Sequence, residues 1–419
     1  MYYVGIDWAD EAHHIYITDD SGQKLDSFPI DHNTAGMNKL QEHIHKFSRK
    51  LDNILFSIET DKCLVVSALI DWGYTVYPIN PKSVDRYRDR YKVSGVKSDE
   101  FDACVLANIL RTDRHRFRPI LPDSELAREL KVLTRDRDRL VGDRTRLSNR
   151  LTSTLKAYYP AALELFCHID QPITLSFLSK YPTYQDAKRT TFGEFKAFLS
   201  ENRYPGLKRA NEIYERLQQP HLKPEDMIAR AKSRLMLAIV SQLQPLIQQI
   251  KAYEKEIKRL LDSHPDAHIF RSLPGAGDTL SARFIAEFGD NRDRYQEAVN
   301  AQAEAGSAPV TIQSGKMKYV KFRKACKKPF RATVHQFAFC SIKQCDWARE
   351  YYDQQVNDGK THTQAIRSLS NKWMKIIFAL WKRHQTYDEE HHLLMKERHA
   401  VVAVQYASAK SETLSSKSA

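Results

Sequence analysis

Glycine is scarce in this chain, with 14 in 419 residues, and none stands in GxGxxG or GxxxxGK[ST] spacing. Without such a loop to bring backbone N–H groups against a phosphate, the common mononucleotide and dinucleotide sites are excluded. Cysteine is thin as well. The six, at 63, 104, 167, 326, 340 and 345, form no CxxC pair and no Cys/His cluster with zinc spacing. Reduced thiols in a cytoplasmic protein are therefore expected. No apolar run approaches the roughly 20 residues that span a bilayer, and acidic residues arrive by position 7. That pattern points to a soluble intracellular protein without a leader or membrane anchor. Acidic residues are themselves missing from one long stretch, 305–345.

What fills that stretch is positive charge: Lys316, Lys318, Lys321, Arg323, Lys324, Lys327, Lys328, Arg331 and Lys343. A solvated helix face normally mixes signs, so a run of one sign is the strongest indication of a polyanionic partner. Over the whole chain 65 Lys and Arg face 52 Asp and Glu, a formal charge of +13, which agrees with nucleic acid as that partner.

At this length two or three domains are expected. The first 120 residues alternate strand and helix signals. YYVGIDWA is a short apolar run ending in an acid, and HHIYITDDSGQKLDSFPI reads as two strands around a turn at Asp20-Ser21-Gly22. Residues 35–50 read as a helix, NILFSIET as a strand ending in Glu59, 64–72 as a helix and YTVYPINP as a buried strand. A mixed sheet covered on both sides follows. From Ser124 the period changes: Leu126, Leu133, Leu140 and Leu147 fall seven apart among dense charge. Such a stripe needs a partner helix, either residues 225–262 of the same chain or a second copy. Residues 160–225 read as a small helical module between the two long helices. Beyond 263, FRSLPGAGDTLSARFIAEFGD breaks one helix and starts another at Asp278 or Thr279. Gly275 and Gly277 there resemble the turn of a helix-hairpin-helix, whose backbone N–H groups meet phosphate; an ordinary interhelical turn is the alternative.

Four acids stand at element ends. Asp7 closes the first strand, Glu59 closes a later one, and Asp99 and Asp102 in VKSDEFDACVLANIL lie about one turn apart on one face of a helix. Acids in a first turn can simply answer the helix dipole, and Asp10, Asp61 and Glu100 are neighbouring decoys. If the first and fourth strands are neighbours, however, all four carboxylates share one cleft, where they repel and raise one another's pKa unless a cation neutralises them. Oxygen-only ligands suit Mg²⁺ or Mn²⁺, which at a phosphodiester activates a nucleophile and stabilises the leaving oxygen.

This arrangement resembles the ribonuclease H-like fold of Holliday-junction resolvases. Actin-like sugar kinases begin similarly but need glycine-rich loops further on. The order GID, a strand-terminal Glu and KxDxxDAxxLA (here VKSDEFDACVLA), followed by LPGAGDTLSARFIAEFGD, AGSAP and IQSGKMKYVKFRKACKKPFR, is similar to the DEDD transposases of bacterial insertion sequences, which include the bridge-RNA-guided recombinases. The resemblance implies that Asp7, Glu59, Asp99 and Asp102 bind Mg²⁺ and that Ser314 of IQSGK is a nucleophile. It implies also a composite site, with acids from one subunit and serine from another, in a dimer or tetramer. Double-stranded donor and target DNA and a non-coding guide RNA are the implied partners, with nucleoid association in the bacterial cytoplasm. From its residues alone Ser314 reads as a turn serine before Gly315, with no base near it in sequence. AGSAP departs from the pattern, in which a large apolar residue often follows AG.

The expected architecture is an α/β N-terminal ribonuclease H-like (RuvC-like) domain over 1–122 and a long antiparallel helical or coiled-coil middle over 123–262, with its insert at 160–225. A mostly α C-terminal transposase domain over 263–403 and a disordered tail over 404–419 complete it. Two rivals to a recombinase remain: a hydrolytic junction resolvase or nuclease in which Ser314 is structural, and a non-catalytic nucleic-acid scaffold.

Overall fold

The computed structural model describes residues 1–61, 63–91, 98–222, 224–315 and 317–395. Lys316 and the tail expected over 404–419 lie outside the described residues. The chain divides into two compact units, Met1–Pro122 and the portion from Asp123 onward.

The first unit is a mixed α/β domain. Its strands β1 (Tyr2–Asp7), β2 (Ala12–Asp19), β3 (Lys24–Asp31), β4 (Ile54–Ile58) and β5 (Thr75–Pro78) form one sheet in the order β3-β2-β1-β4-β5. The first three meander antiparallel, with a turn closed by Gly22 N–H on the Asp19 carbonyl at 3.1 Å; β4 and β5 then add in parallel beside β1. Parallel addition needs crossovers, supplied by helices α1 (Thr34–His45) and α2 (Leu64–Asp71). Both pack on one face, where Leu40, Ile44, Val65 and Leu69 join Val4, Ile6, Phe56 and Ile58 in a common core. The opposite face is covered by α3 (Pro81–Tyr91) and α4 (Asp99–Asp113) through Val84, Val105, Leu106 and Ile109. All five β4 residues are consequently buried, as expected for a strand covered on both sides.

The second unit is mostly helical. Helix α5 (Glu125–Tyr158) leads through α6 (Pro172–Lys180), α7 (Tyr184–Lys188), α8 (Phe192–Glu201) and α9 (Ala210–Gln218) to the long α10 (Asp226–Ser263). Leu151, Leu155 and Tyr158 of α5 share a core with α6–α9 and with Met236, Ile239 and Leu243 of α10. At the other end Ala127 and Leu130 share a second core with Ile257, Leu260 and Leu261, so the two long helices run antiparallel between the two cores. The leucine stripe thus meets its partner helix within the chain. Leu126 and Leu133 pack at one core and Leu147 at the other, whereas Leu140 belongs to neither.

Around the core at the start of α5 gather α11 (Ala267–Arg271), α12 (Gly277–Phe288), α13 (Ala298–Glu304), α14 (Lys328–Ser341), α15 (Asp346–Asn357) and α16 (His362–Arg383), while the hairpin β6 (Val310–Ser314) with β7 (Met317–Lys321) lies outside that core. Trp347, Trp373 and Trp381 fill its centre. No described helix is long and apolar enough to cross a membrane.

Candidate active site

The acids are placed by one register and one close approach. Ile6 of β1 pairs with Ile58 of β4 in parallel, so the next residue of each chain, Asp7 and Glu59, leaves the sheet at the same edge. Neighbouring strands lie about 4.8 Å apart. The approach is made by α4, which crosses β1 directly at Gly5. A Cβ there would overlap the Ala103 carbonyl oxygen and lie 2.7 Å from the Ala107 amide nitrogen. Ala103 and Ala107 are completely buried in that contact. Three small residues let the helix lie flat on the strand, and this brings its first turn to the sheet edge.

That first turn begins at Ser98, whose hydroxyl accepts the Phe101 N–H at 3.2 Å, the usual role of an N-cap serine. The three acids after it divide. Glu100 points away, paired with Lys24 and accepting from the Ser27 hydroxyl at 3.1 Å. Asp102 and Asp99 face the sheet edge: with Glu59, in that order after burial, they raise the Asp7 pKa to about 6, while Arg88 opposes them. Arg88 donates Nε to Asp102 at 2.7 Å and Nη1 to Asp85 at 2.8 Å. Asp10 and Asp61 are exposed.

The set expected from the sequence is therefore one electrostatic cluster, drawn from three chain segments, with Arg88 opposing the acids at Asp7. Its side chains stop short of coordination, since no three His, Cys, Asp or Glu side chains among the described residues are placed to hold one ion. The donor chemistry nonetheless fits a hard divalent cation, because every candidate ligand is a carboxylate oxygen and Asp7 is destabilised by the other three.

Ser314 ends β6 and pairs with Met317 across a two-residue turn in which Gly315 takes φ +54°. Its side chain is exposed, and no hydrogen-bond partner stands beside it among the described residues. The hairpin is exposed along both strands apart from half-buried Val310 and Ile312. A hairpin was not expected in this region; alternating Val310, Ile312 and Tyr319, Lys321 around Ser-Gly was the available signal.

The basic run splits by role. Lys318, Lys321, Lys324 and Lys328 are exposed. Lys327 pairs with Glu304, Arg323 donates to the Ala308 carbonyl at 3.1 Å, and Arg331 donates to the Arg323 carbonyl at 2.6 Å. These last three shape the segment. Gly306, at φ +68°, leaves room for the Arg331 guanidinium, into which a Cβ would run. The unusual Ser307 is buried and donates to the Gln302 carbonyl and the Asn371 Oδ1, both at 3.3 Å, so AGSAP packs without the large side chain.

In LPGAG, Gly275 and Gly277 both take positive φ, 81° and 56°. Gly275 lies against α14, where a Cβ would come within 3.2 Å of the Cys340 carbonyl. The helix before the turn, α11, has only five residues. AEFGD is a joint rather than a site. Buried Glu287 accepts from Arg135 of α5 at 3.1 Å, and Asp290 accepts the Ser124 N–H at 2.9 Å. Asp123 meets Arg294 at 2.5 Å.

Two family models match this chain. One, for the DEDD transposase of IS110, covers residues 4–160, and one described as "Transposase IS116/IS110/IS902 family" covers 267–353. The "Mini-circle putative transposase for IS117" of Streptomyces coelicolor is 34% identical over 93% of this chain and 95% of its own length. The IS116 protein of Streptomyces clavuligerus is 27% identical over 90% and 94%. The IS900 protein of Mycobacterium paratuberculosis is 25% identical over 92% and 96%.

Proposed function

Because this chain belongs to the IS110/IS116/IS902 family of transposases, and so to enzymes that cut and rejoin DNA, we propose that it does so through a covalent phosphoserine link at Ser314. The Ser314 Oγ attacks a DNA phosphorus and the bond to the 3′ oxygen breaks. The proton lost by the serine is balanced by the one the departing 3′ hydroxyl gains. Reversal by the 3′ hydroxyl of the exchanged strand reseals the DNA and frees the serine. The phosphodiester energy is kept in the link, so no nucleotide cofactor is required.

Asp7, Glu59, Asp99 and Asp102 are the residues that would hold Mg²⁺ or Mn²⁺. Bound there, the ion supplies charge stabilisation at the phosphate and lowers the pKa of an attacking hydroxyl. Arg88 positions Asp102. The sheet order β3-β2-β1-β4-β5, antiparallel then parallel, supports a ribonuclease H-like domain. Exposed Lys318, Lys321, Lys324 and Lys328 hold nucleic-acid backbone, which positions a duplex without reading its sequence. Choice of target by base pairing to a guide RNA, and a homo-oligomeric assembly, complete the proposal on the strength of the family.

The single observation that carries it is the convergence of Glu59, Asp99 and Asp102 on Asp7 at one sheet edge. A second reading, hydrolysis by the acids with Ser314 as a turn residue, is favoured by the hydroxyl's place beside Gly315 at a hairpin tip. Ser314→Ala separates them. Incubated with element-end DNA and Mg²⁺, wild type should give a protein–DNA adduct on denaturing gels and the variant none. A variant that still cuts DNA at the wild-type rate refutes the serine pathway.

A further inference from the structure

At the base of the exposed hairpin two arginines rest against one aromatic ring. The guanidinium carbon of Arg331 lies 4.5 Å from the centre of the Phe322 ring, and that of Arg367, from α16, lies 4.6 Å from it. Phe322 itself is 42% exposed, so the ring reaches the surface. Both arginines are half-buried, and neither has an ion-pair partner among the described residues. Glu304, on the helix before the hairpin, is taken by Lys327. Arg331 uses Nη2 on the carbonyls of Arg323 and Lys324, and Arg367 uses Nε on the Thr363 carbonyl at 3.2 Å. Among the described residues Arg331 Nε is buried with no acceptor and the Arg367 terminal amino groups have none. His335, one helical turn beyond Arg331, adds a buried Nε2 with no partner among the described residues. Burial, Arg331 and Arg367 push its pKa down to about 4, so at neutral pH it contributes a neutral ring.

Two guanidinium groups gathered without an anion repel, and a π face attracts cations without neutralising them. The missing component is an anion that accepts from a planar fork of N–H donors. We infer that Arg331, Phe322 and Arg367 form a phosphate subsite, occupied by one backbone phosphate of a nucleic-acid strand lying along the hairpin. Guanidinium forks match phosphate oxygens. A repeating polyanion is favoured over an isolated acidic peptide because Lys318, Lys321, Lys324 and Lys328 continue the positive surface beside it. The stacked Phe322 ring acts as a spacer that fixes the Arg367 fork. This inference rests on the nucleic-acid reading proposed above, but not on the chemistry at Ser314.

The test measures binding by the full chain to a labelled DNA duplex and to a labelled single-stranded RNA, by fluorescence anisotropy across a salt series. Removing one phosphate contact should lower the slope of log affinity against log salt by about 0.9 on duplex DNA or about 0.7 on a single strand. Arg367→Gln should show that drop and bind roughly ten-fold more weakly at the lowest salt, consistent with loss of one charged phosphate contact. The strand whose slope changes is the one the subsite holds. Arg367→Lys should keep the slope and lose part of the affinity, as should Phe322→Ala, which leaves every charge in place. Wild-type slope and affinity for Arg367→Gln on both DNA and RNA overturn the subsite. If that variant does not fold, wild-type affinity of both Arg367→Lys and Phe322→Ala overturns it. Loss of binding to polyglutamate with nucleic-acid binding intact overturns it in favour of an acidic peptide. Wild type binding neither strand overturns the subsite together with the nucleic-acid reading beneath it.

Discussion

Gly5→Ala adds a single methyl group at the contact that sets the acid cluster. The new Cβ would overlap the Ala103 carbonyl oxygen and stand 2.7 Å from the Ala107 amide nitrogen. Both are backbone atoms of α4, so no side chain can rotate away. Trimming Ala103 to glycine would not relieve the overlap either. The helix must lift by on the order of 1 Å, and overpacking of this kind costs about 1–3 kcal/mol. Val105, Leu106 and Ile109 are seated with no exposed surface to spare, which places the expected loss toward the upper end of that range. The same displacement carries Asp99 and Asp102 from Asp7, and a misplacement of about 1 Å can reduce catalysis about 100-fold. Chemical denaturation followed by far-ultraviolet circular dichroism reads the first effect, and strand cleavage at saturating Mg²⁺ reads the second. A Gly5→Ala protein with wild-type stability and cleavage would mean that the helix–strand approach does not set the acids, and that Asp99 and Asp102 owe their position to some other contact.

Two further outcomes follow from charge. Without divalent metal, Asp7 titrates near 6 rather than at the ordinary aspartate value of 3.8, so its ionised form is disfavoured on folding. Stability from this group is therefore full below about pH 4 and is lost as the pH rises through 6. The loss is bounded by about 3 kcal/mol, at about 1.36 kcal/mol per pKa unit, and solvent screening at this half-buried group brings it below that bound. Asp7→Asn should flatten that part of the profile in metal-free denaturant titrations between pH 4 and 7; an unchanged difference from wild type across the range counts against the cluster. Arg135→Ala strands the Glu287 carboxylate, which is 3% exposed, and should destabilise by about 3–5 kcal/mol, as breaking a buried pair does. A shift below about 1 kcal/mol, the scale of a surface pair, would show that AEFGD does not act as a joint between α5 and α12.

Much of the fold was legible because period and punctuation agree with it. The strand run ending in Asp7, a strand that stops one residue short of Glu59, the helix carrying Asp99 and Asp102 and the seven-residue leucine stripe each appear close to where their patterns place them. Proposing that the first and fourth strands lie together was enough to bring Asp7 beside Glu59. The decoys separated only in three dimensions: Glu100 is one residue from Asp99, yet it turns toward Lys24. Arg88 was not expected in the site, since nothing in DRYRDRY distinguishes the arginine that reaches Asp102. The basic run looked uniform, but its members became surface charge, internal braces or, in Arg331, a brace that also lies against Phe322, according to what the packing supplied.

Most helices and strands of the first unit and both long helices were readable from the sequence, the β6–β7 hairpin was not, and the readable ones depend on local backbone preference and on the spacing of apolar side chains. The sequence by itself also determined that α5 needs a partner, since an apolar stripe has to be covered. Only the tertiary structure decided which helix covers it, how Gly5 admits α4 to the sheet, and why Arg331 and Arg367, distant in sequence, lean on one phenylalanine. Those outcomes depend on distances between residues far apart in the chain, which are fixed only when the cores close.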